Sequence, residues 1–458
     1  MNPAARKDLT IVAPATGNQM AAIGVVRLSG SQAFEITEQV FSKKIAHQPG
    51  YTIHFGKIKD QNRVVDEVLV SIFKSPNSYT GDDIVEISCH GSPYIVQEIV
   101  NLLVKQGAAL AEPGEFTMRA FLNGKMDLSQ AEAVADLIAS ESYAGHALAM
   151  QQMRGGISKL IEQLRNQLLH FSAMLELELD FSTEDVEFAN RDDLLILLNK
   201  ISKVIKQLIG SFALGNAIKK GIPVCIVGRP NAGKSTLLNA LLNDDRAIVS
   251  EIAGTTRDSI EDHFVFNGIS FRLIDTAGLR ETNDTIESIG IERSYAKMHE
   301  ADYIIYLFDV NELSNEVVDA DVQAIKNRVG GNKNIILVAN KIDQITESEK
   351  SKEINSSFIQ ISAKELQGIE QVFETIAFEV NEQMTQKNEI ISNVRHLEAL
   401  NQCDLALNQT IVQLNNQISS DLLAFHIREA LKYMALITGE VTNDEVLGHI
   451  FGKFCIGK

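Results

Sequence analysis

The sequence predicts a multidomain α/β protein: an α+β domain at the N-terminus, then a helical domain whose two halves flank an inserted parallel α/β domain. Three observations carry this prediction. Short apolar runs alternate with turn residues over residues 1–120. Strand-like and helix-like patterns alternate from near Ile222 to about Val380, as they do in a parallel sheet. Long apolar stripes at three- and four-residue spacing lie on both sides of that segment.

Taken in order, Ile23–Leu28 ends at Ser29-Gly30, Val64–Phe73 at Ser75-Pro76-Asn77, and Ile84–Cys89 at His90-Gly91. These read as strands, and Tyr94–Lys105 reads as a helix. Pro113-Gly114 marks a break. Ser129-x-x-Glu132 has the pattern of a capping box ahead of Val134, Leu137 and Ile138. Ile157, Leu160, Leu164, Leu168, Phe171 and Leu175 then line one face of a helix. The acidic run Glu176–Glu187 reads as a solvated connector. Beyond the α/β segment, Leu397, Leu400, Leu407, Ile411, Leu414 and Ile418 form a second stripe, with more helix through Leu436. Each stripe needs a partner, so the two halves are expected to form one domain. The expected division is 1–120, 121–217, 218–383 and 384–458, with 218–383 inserted into the helical domain.

Bulk properties narrow the function. At 458 residues, 45% apolar and 22% charged, the chain reads as an ordinary globular protein of two to four domains. Its net charge of −18 argues against unspecific coating of nucleic acid. It leaves room for a local basic patch or for a partner that carries the RNA-binding surface. Cys89, Cys225, Cys403 and Cys455 lack metal-ligand spacing and form no disulfide framework, which suits a reducing cytoplasm. Residues 1–20 hold no long apolar run, and no stretch reaches about eighteen uncharged apolar residues, so neither a signal peptide nor a membrane span is expected. Cys455 stands fourth from the end, but Gly457 and Lys458 fit a prenylation motif poorly.

The chemistry is concentrated in the inserted segment. The apolar run Pro223–Val227 leads into Gly228-Arg229-Pro230-Asn231-Ala232-Gly233-Lys234-Ser235, followed by Thr236-Leu237-Leu238, which opens a helix. This is a phosphate-binding loop in its required strand-to-helix setting. Backbone N–H groups close around phosphates, Lys234 faces the β and γ oxygens, and the Ser235 hydroxyl suits Mg²⁺. Asp275-Thr276-Ala277-Gly278 follows Phe271–Ile274. There a carboxylate holds Mg²⁺ through water and a glycine N–H senses the γ-phosphate. Asn340-Lys341-Ile342-Asp343 follows Ile335–Ala339. A carboxylate such as Asp343 accepts from both donors on guanine's edge, a pair that adenine lacks, so GTP is the expected nucleotide. Ser362-Ala363-Lys364 closes the base pocket. In Gly254-Thr255-Thr256-Arg257-Asp258, Thr256 is the choice to complete the Mg²⁺ shell. The expected GTP-binding set is Asn231, Ala232, Gly233, Lys234, Ser235, Thr236, Ser250, Glu251, Ile252, Ala253, Gly254, Thr255, Thr256, Asp275, Thr276, Ala277, Gly278, Asn340, Lys341, Asp343, Ser362, Ala363 and Lys364. The motif order is that of a Ras-like P-loop G domain. Where such domains carry a water-orienting glutamine, this chain has Leu279. Another group must therefore complete hydrolysis, and Arg280, Glu281 and Glu287 lie nearby.

Several runs resemble the MnmE (TrmE) family of tRNA-modification GTPases. They are Gly228–Ser235, Gly254–Asp258, Asp275–Arg280 with Ile289-Gly290-Ile291-Glu292, and the terminal Phe454-Cys455-Ile456-Gly457-Lys458. Gly114-Glu115-Phe116, Arg119-Ala120-Phe121-Leu122-Asn123 and Lys125-Met126-Asp127-Leu128 add to them, so the likeness spans nearly the whole chain. The resemblance implies an N-terminal folate-binding-like domain, a helical domain and an inserted G domain. It implies a homodimer joined through the N-terminal domains and an FAD-dependent partner, MnmG or GidA. Together these install an aminomethyl or carboxymethylaminomethyl group at carbon 5 of the tRNA wobble uridine, with 5-formyl- or methylene-tetrahydrofolate supplying one carbon. It implies K⁺ in place of an arginine finger and G domains that pair during hydrolysis. Residue by residue, Asn231, Ser250, Ile252 and Thr255 match the K⁺ ligands, and Ser235 and Thr256 the Mg²⁺ ligands. Glu287 matches the glutamate that positions water, and Arg27, Glu86, Lys125 and Lys458 match the folate contacts. Cys455 matches a cysteine assigned to the modification chemistry, although a tail cysteine with no neighbouring base reads as an ordinary thiol. Two other readings compete: a ribosome-assembly GTPase, which would usually append a basic RNA-binding domain, and a nucleotide-switched interaction module. Retention of folate by the purified protein counts against both.

Overall fold

The computed structural model describes residues 6–180, 190–242, 248–249, 262–274, 297–312, 314–330, 333–345, 357–387, 389–416, 420–442 and 444–458. The chain forms two compact units: Met1–Ala135 with Gln152–Leu198 and Leu405–Lys458, and Asp136–Gln151 with Asn199–Asp404.

The first unit begins with β1 (Ile11–Pro14), β2 (Ile23–Ser29), α1 (Ala33–Val40), β3 (Thr52–Asp60), β4 (Arg63–Phe73), β5 (Ile84–His90), α2 (Pro93–Lys105) and β6 (Ala109–Leu110). The strands form one sheet in the order β3-β4-β5-β2-β1-β6. Its ladders are antiparallel except for β1 with β6. Side chains alternate across a sheet, so each strand offers one set to either face. Val26, Leu28, Val68, Val70, Ile72, Val85 and Ile87 pack against Phe34, Ile36, Val40, Val96, Ile99 and Leu103 of the two helices. The alternate residues face the other way, and among them Ile53, Phe55 and Leu69 are 65%, 56% and 46% exposed. An apolar sheet face this open marks an interaction surface.

Helices follow: α3 (Glu115–Leu122), α4 (Leu128–Ile138), α5 (Tyr143–Met153), α6 (Gly156–Asp180), α7 (Arg191–Ile209) and α8 (Phe212–Lys220). The cap of α4 differs from the expected one. Asp127 Oδ1 accepts from Gln130 N at 2.9 Å, and Gln130 Oε1 accepts from Asp127 N at 2.9 Å. The reciprocal box is therefore Asp127-x-x-Gln130. Ser129 already lies inside the first turn, where its buried Oγ finds no partner among the described residues. The acidic run also departs from the expectation of a solvated connector at its start. Helix α6 runs on to Asp180, and Glu178 is buried, bonded at 2.6 Å to Arg191. A carboxylate opposite an arginine at the start of the next helix need not be solvated.

The second unit holds β7 (Ile222–Val227), α9 (Lys234–Leu242), β8 (Ile248–Val249), β9 (Asp262–Phe266), β10 (Ile269–Ile274), β11 (Tyr303–Asp309), α10 (Asn315–Val329), β12 (Asn334–Asn340), β13 (Ile359–Gln360) and α11 (Ile369–Gln386). Its sheet runs β13-β12-β11-β7-β10-β9-β8. β10, β7, β11, β12 and β13 are parallel, and β9 and β8 are antiparallel. That is the fold of a Ras-like P-loop domain. Helices cover both faces, so the inner strands read as continuous apolar runs. α8, α9 and α11 pack on one face through residues such as Ile218, Leu237 and Ile376. α10 packs on the other through Val318, Val322 and Ile325. Asn267 and Gly268 turn the β9–β10 hairpin with φ of 47° and 76°, the left-handed pair that a two-residue turn requires. The chain then continues through α12 (Val394–Asn415), α13 (Ser420–Thr438) and α14 (Asp444–Phe451). Among the described residues no helix is long and apolar enough to cross a membrane.

Phe373 of α11 packs edge-on against Phe264 and Phe271, at 5.0 and 5.3 Å between ring centroids. It ties α11 to the hairpin that delivers β10 to the nucleotide motifs. Phe373→Ala should cost about 3–5 kcal/mol, because a fully buried ring leaves a cavity behind. Urea unfolding measures this, and a loss below about 1 kcal/mol would show that the ring does not anchor the hairpin.

Candidate functional site

The wholly buried β7 ends at Val227, and the loop Gly228–Gly233 hands the chain to α9. Two residues of this loop need left-handed backbone: Asn231 at φ 62° and Gly233 at φ 96°. A Cβ on Gly233 would lie 2.3 Å from Asn340 Nδ2, so only glycine lets the loop close against that residue. Lys234 Nζ donates to the carbonyls of Gly228 and Arg229, both at 2.9 Å. Burial pushes its pKa down, and among the described residues no carboxylate compensates the ammonium. An incoming phosphate would provide that compensation.

Asn340 joins three of the sequence motifs. Its Nδ2 donates to Ala232 O at 2.8 Å, and its Oδ1 accepts from Ala363 N at 3.0 Å. At 2% exposure both bonds are sheltered from water. Asp343 is oriented by the Ser362 hydroxyl, which donates to its Oδ1 at 2.6 Å. Ser362 Oγ also accepts from Glu365 N at 3.1 Å. The described parts of the site, Asn231–Thr236, Asn340–Asp343 and Ser362–Lys364, thus meet at the C-terminal ends of β7, β12 and β13. In open α/β sheets ligands bind at that edge.

Sequence reasoning missed Asp309, the last residue of β11. It pairs with Lys341 Nζ at 2.7 Å and accepts from Asn311 N at 2.9 Å. Burial alone would raise its carboxyl, but the Lys341 ammonium and the Asn311 N–H outweigh that and hold it below the usual range. This pair supports Lys341 in its left-handed conformation at φ 65°. The only signal in the sequence is a carboxylate closing an otherwise apolar strand. Ser250, Glu251, Ile252, Ala253, Gly254, Thr255, Thr256, Asp275, Thr276, Ala277, Gly278, Arg280 and Glu287 lie outside the described residues. Among the described residues no three His, Cys, Asp or Glu side chains gather to hold a metal.

A second polar cluster lies in the first unit. Arg27 and Glu86 are register partners across β2 and β5, and Arg27 Nη2 approaches Glu86 Oε1 to 2.7 Å. The Arg27 guanidinium carbon is 5.8 Å from the ring centres of both Tyr79 and Phe116. Its Nη1 donates to Gly457 O at 3.2 Å, which brings the chain's tail to this face of the sheet. Gly457 has φ 95°, and a Cβ there would lie 2.1 Å from Pro14 O. Phe451 and Phe454 pin the tail into a core with Met118 and Leu128. Lys125 Nζ donates to Pro76 O at 2.9 Å, on the loop that also carries Tyr79. Lys458 is half-buried, and Cys455 is exposed while the other three cysteines are buried. Arg27, Glu86 and the tail are therefore brought together, whereas Lys125 is tied to them through the loop.

Comparison with known proteins supplies the relatives. Residues 10–125 match the family described as GTP-binding protein TrmE N-terminus, and residues 128–455 the family described as MnmE helical domain. The tRNA modification GTPase MnmE of Cytophaga hutchinsonii is 52% identical over 452 residues, covering 98% of both chains. The proteins of that name from Christiangramia forsetii and Flavobacterium johnsoniae are 51% and 52% identical, each over 98% of this chain and 99% of its own.

Gly233→Ala should abolish nucleotide binding, since the methyl group collides with the Asn340 amide in a backbone conformation that already strains alanine. Titration with a fluorescent guanine nucleotide reads this directly. Affinity within about twofold of wild type would mean that the loop closes in some other way.

Proposed function

The chain belongs to the MnmE family of tRNA modification GTPases, and on that footing we propose how its residues divide the work. It is a GTP hydrolase that acts in tRNA modification. In our reading it works with an FAD-dependent partner of the MnmG/GidA type. The pair installs a (carboxymethyl)aminomethyl group at carbon 5 of the tRNA wobble uridine. Residues 1–120 bind folate and dimerise, 121–217 with 384–458 form the helical domain, and 218–383 hydrolyse GTP. The protein acts in the cytoplasm.

The observation that carries the nucleotide reading is the Asn340 bridge, which sets the phosphate loop and the base loop in one frame. Asp343, held by Ser362, then reads the guanine edge, and Lys234 turns from its two loop carbonyls to the phosphates. Ser235 and Thr256 are the Mg²⁺ ligands in this reading. Asn231, Ser250, Ile252 and Thr255 are those for K⁺. The Asn231 amide fits that part: it is exposed, and among the described residues it makes no hydrogen bond. K⁺, when bound, supplies positive charge beside the β and γ phosphates. Leu279 cannot orient water, so Glu287 does so, with Arg280 nearby.

Arg27, Glu86, Lys125 and Lys458 would hold a one-carbon tetrahydrofolate, 5-formyl or methylene. The cluster fits such a ligand: a carboxylate suits a pterin edge, aromatic rings flank the cation, and lysines suit an anionic tail. When bound, the folate supplies the one-carbon unit. The open apolar face around Ile53, Phe55 and Leu69 supports dimerisation through the N-terminal domain. Nucleoside analysis of tRNA from cells lacking this protein tests the whole reading. Loss of the modified wobble uridine is expected, and an unchanged nucleoside profile would overturn it.

Two predictions follow from this assignment of ligands. GTP turnover should be several-fold faster in K⁺ than in Na⁺, as Asn231 in the loop and Leu279 in place of glutamine require; equal rates in the two salts would remove the K⁺ site. Deleting Cys455–Lys458 should abolish tRNA modification and leave GTP hydrolysis largely intact, because the tail bonds to Arg27 within the first unit, whereas the phosphate loop belongs to the second. Both activities are assayed on one preparation. Normal modification would show the tail to be a plain terminus, and loss of both activities would point to misfolding.

A further inference from the structure

The phosphate loop is held at a second point that none of the nucleotide motifs explains. Arg229, its second residue, turns its guanidinium onto α10. Nε donates to Asp321 Oδ2 at 2.8 Å and Nη2 to Asp321 Oδ1 at 3.0 Å. This is a planar fork onto both oxygens of one carboxylate, a geometry that fixes orientation as well as distance. Asp321 also accepts from the Tyr306 hydroxyl of β11 at 2.5 Å. Tyr306 itself is 3% exposed and sits in the sheet core. Burial, and then the bond to Asp321, push its hydroxyl pKa well up, so it remains a donor throughout the working pH range. The Arg229 guanidinium in turn holds the Asp321 carboxyl below its usual range.

The backbone of Arg229 completes the chain of contacts. Its carbonyl is one of the two that accept Lys234 Nζ. A continuous series of bonds therefore runs from the rigid sheet through Tyr306, Asp321 and Arg229 to the ammonium that faces the phosphates. The other shoulder of the loop is held by Asn340 on Ala232. With Arg229 and Asp321 side chains 49% and 28% exposed, water screens the pair, and it adds little to global stability. Its effect is local: it limits how far the first half of the loop can open.

We infer that Asp321 and Tyr306 are positioning residues for the nucleotide, acting through Arg229 to set the phosphate loop before the ligand arrives. Preorganisation of this kind appears in affinity and release rate more than in the chemical step. The inference rests on the GTPase reading, and the experiment separates the two.

The test uses the full-length protein, a fluorescent GDP analogue and stopped-flow dissociation. Arg229→Ala and Asp321→Ala should each speed release about three- to tenfold, the range one network bond provides. The double variant should be no faster than either single one, because both remove the same contact. Tyr306→Phe keeps the ring packing and should give a smaller acceleration in the same direction. Steady-state assays should show KM for GTP rising by a larger factor than kcat falls. Release at the wild-type rate would overturn the inference, as would effects that multiply in the double variant, or a lowered unfolding temperature without faster release. A wild-type protein that fails to bind the probe would instead defeat the GTPase reading itself.

Discussion

Asn340 stands at the end of β12 with its amide buried, and three separate stretches of chain meet on it: the phosphate loop at Ala232, the base loop in which it lies, and the Ser362–Lys364 turn at Ala363. Neither of its bonds competes with water, and an unmade bond in that position would cost about 1–3 kcal/mol. The amide has to be there, and glycine has to be at 233 to make room for it. Once this contact is made, the spacing between the Gly228–Gly233 loop and the Ser362–Lys364 turn is set by the sheet and not by the loops. The Ser362–Asp343 and Lys341–Asp309 bonds then orient Asp343 and Lys341 beside it.

The first unit solves a different problem with the same tools. One face of its sheet packs on α1 and α2, and on the other the Arg27–Glu86 pair sits among aromatic rings, one of them Phe116 of α3. A charged pair in that setting keeps its geometry because the cation is bonded to both a carboxylate and the Gly457 carbonyl. Gly457 makes this possible, since any side chain would strike the Pro14 carbonyl. A tail that lies hundreds of residues from β2 in sequence thus becomes part of the same cluster.

The motifs at Gly228–Ser235, Asn340–Asp343 and Ser362–Lys364 were legible because each is a short run whose residue types are dictated by one ligand group and whose place follows from the strand before it. The Ras-like fold was legible from the order of the motifs, and the apolar strands and helical stripes through periodicity. Local competition was less so. The cap of α4 uses Asp127 and Gln130 where Ser129 and Glu132 present the same pattern, because two overlapping boxes differ only in where the helix begins. Glu178 lies in a run that reads as solvated, but the fold sets Arg191 opposite it.

What the sequence determined by itself was therefore the chemistry that runs along the chain: the phosphate loop, guanine selectivity, the absence of a water-orienting glutamine at Leu279 and the alternation that builds each layer. What only the tertiary structure decided were pairings between distant residues. Arg229 with Asp321, Asp309 with Lys341, Arg27 with Glu86 and Gly457, and Asn340 with Gly233 all join residues that no period or spacing connects. The reason is physical: a motif records what a ligand demands of neighbouring residues, whereas a buried or forked bond records where the fold brings two surfaces together, and that depends on the packing of the whole sheet.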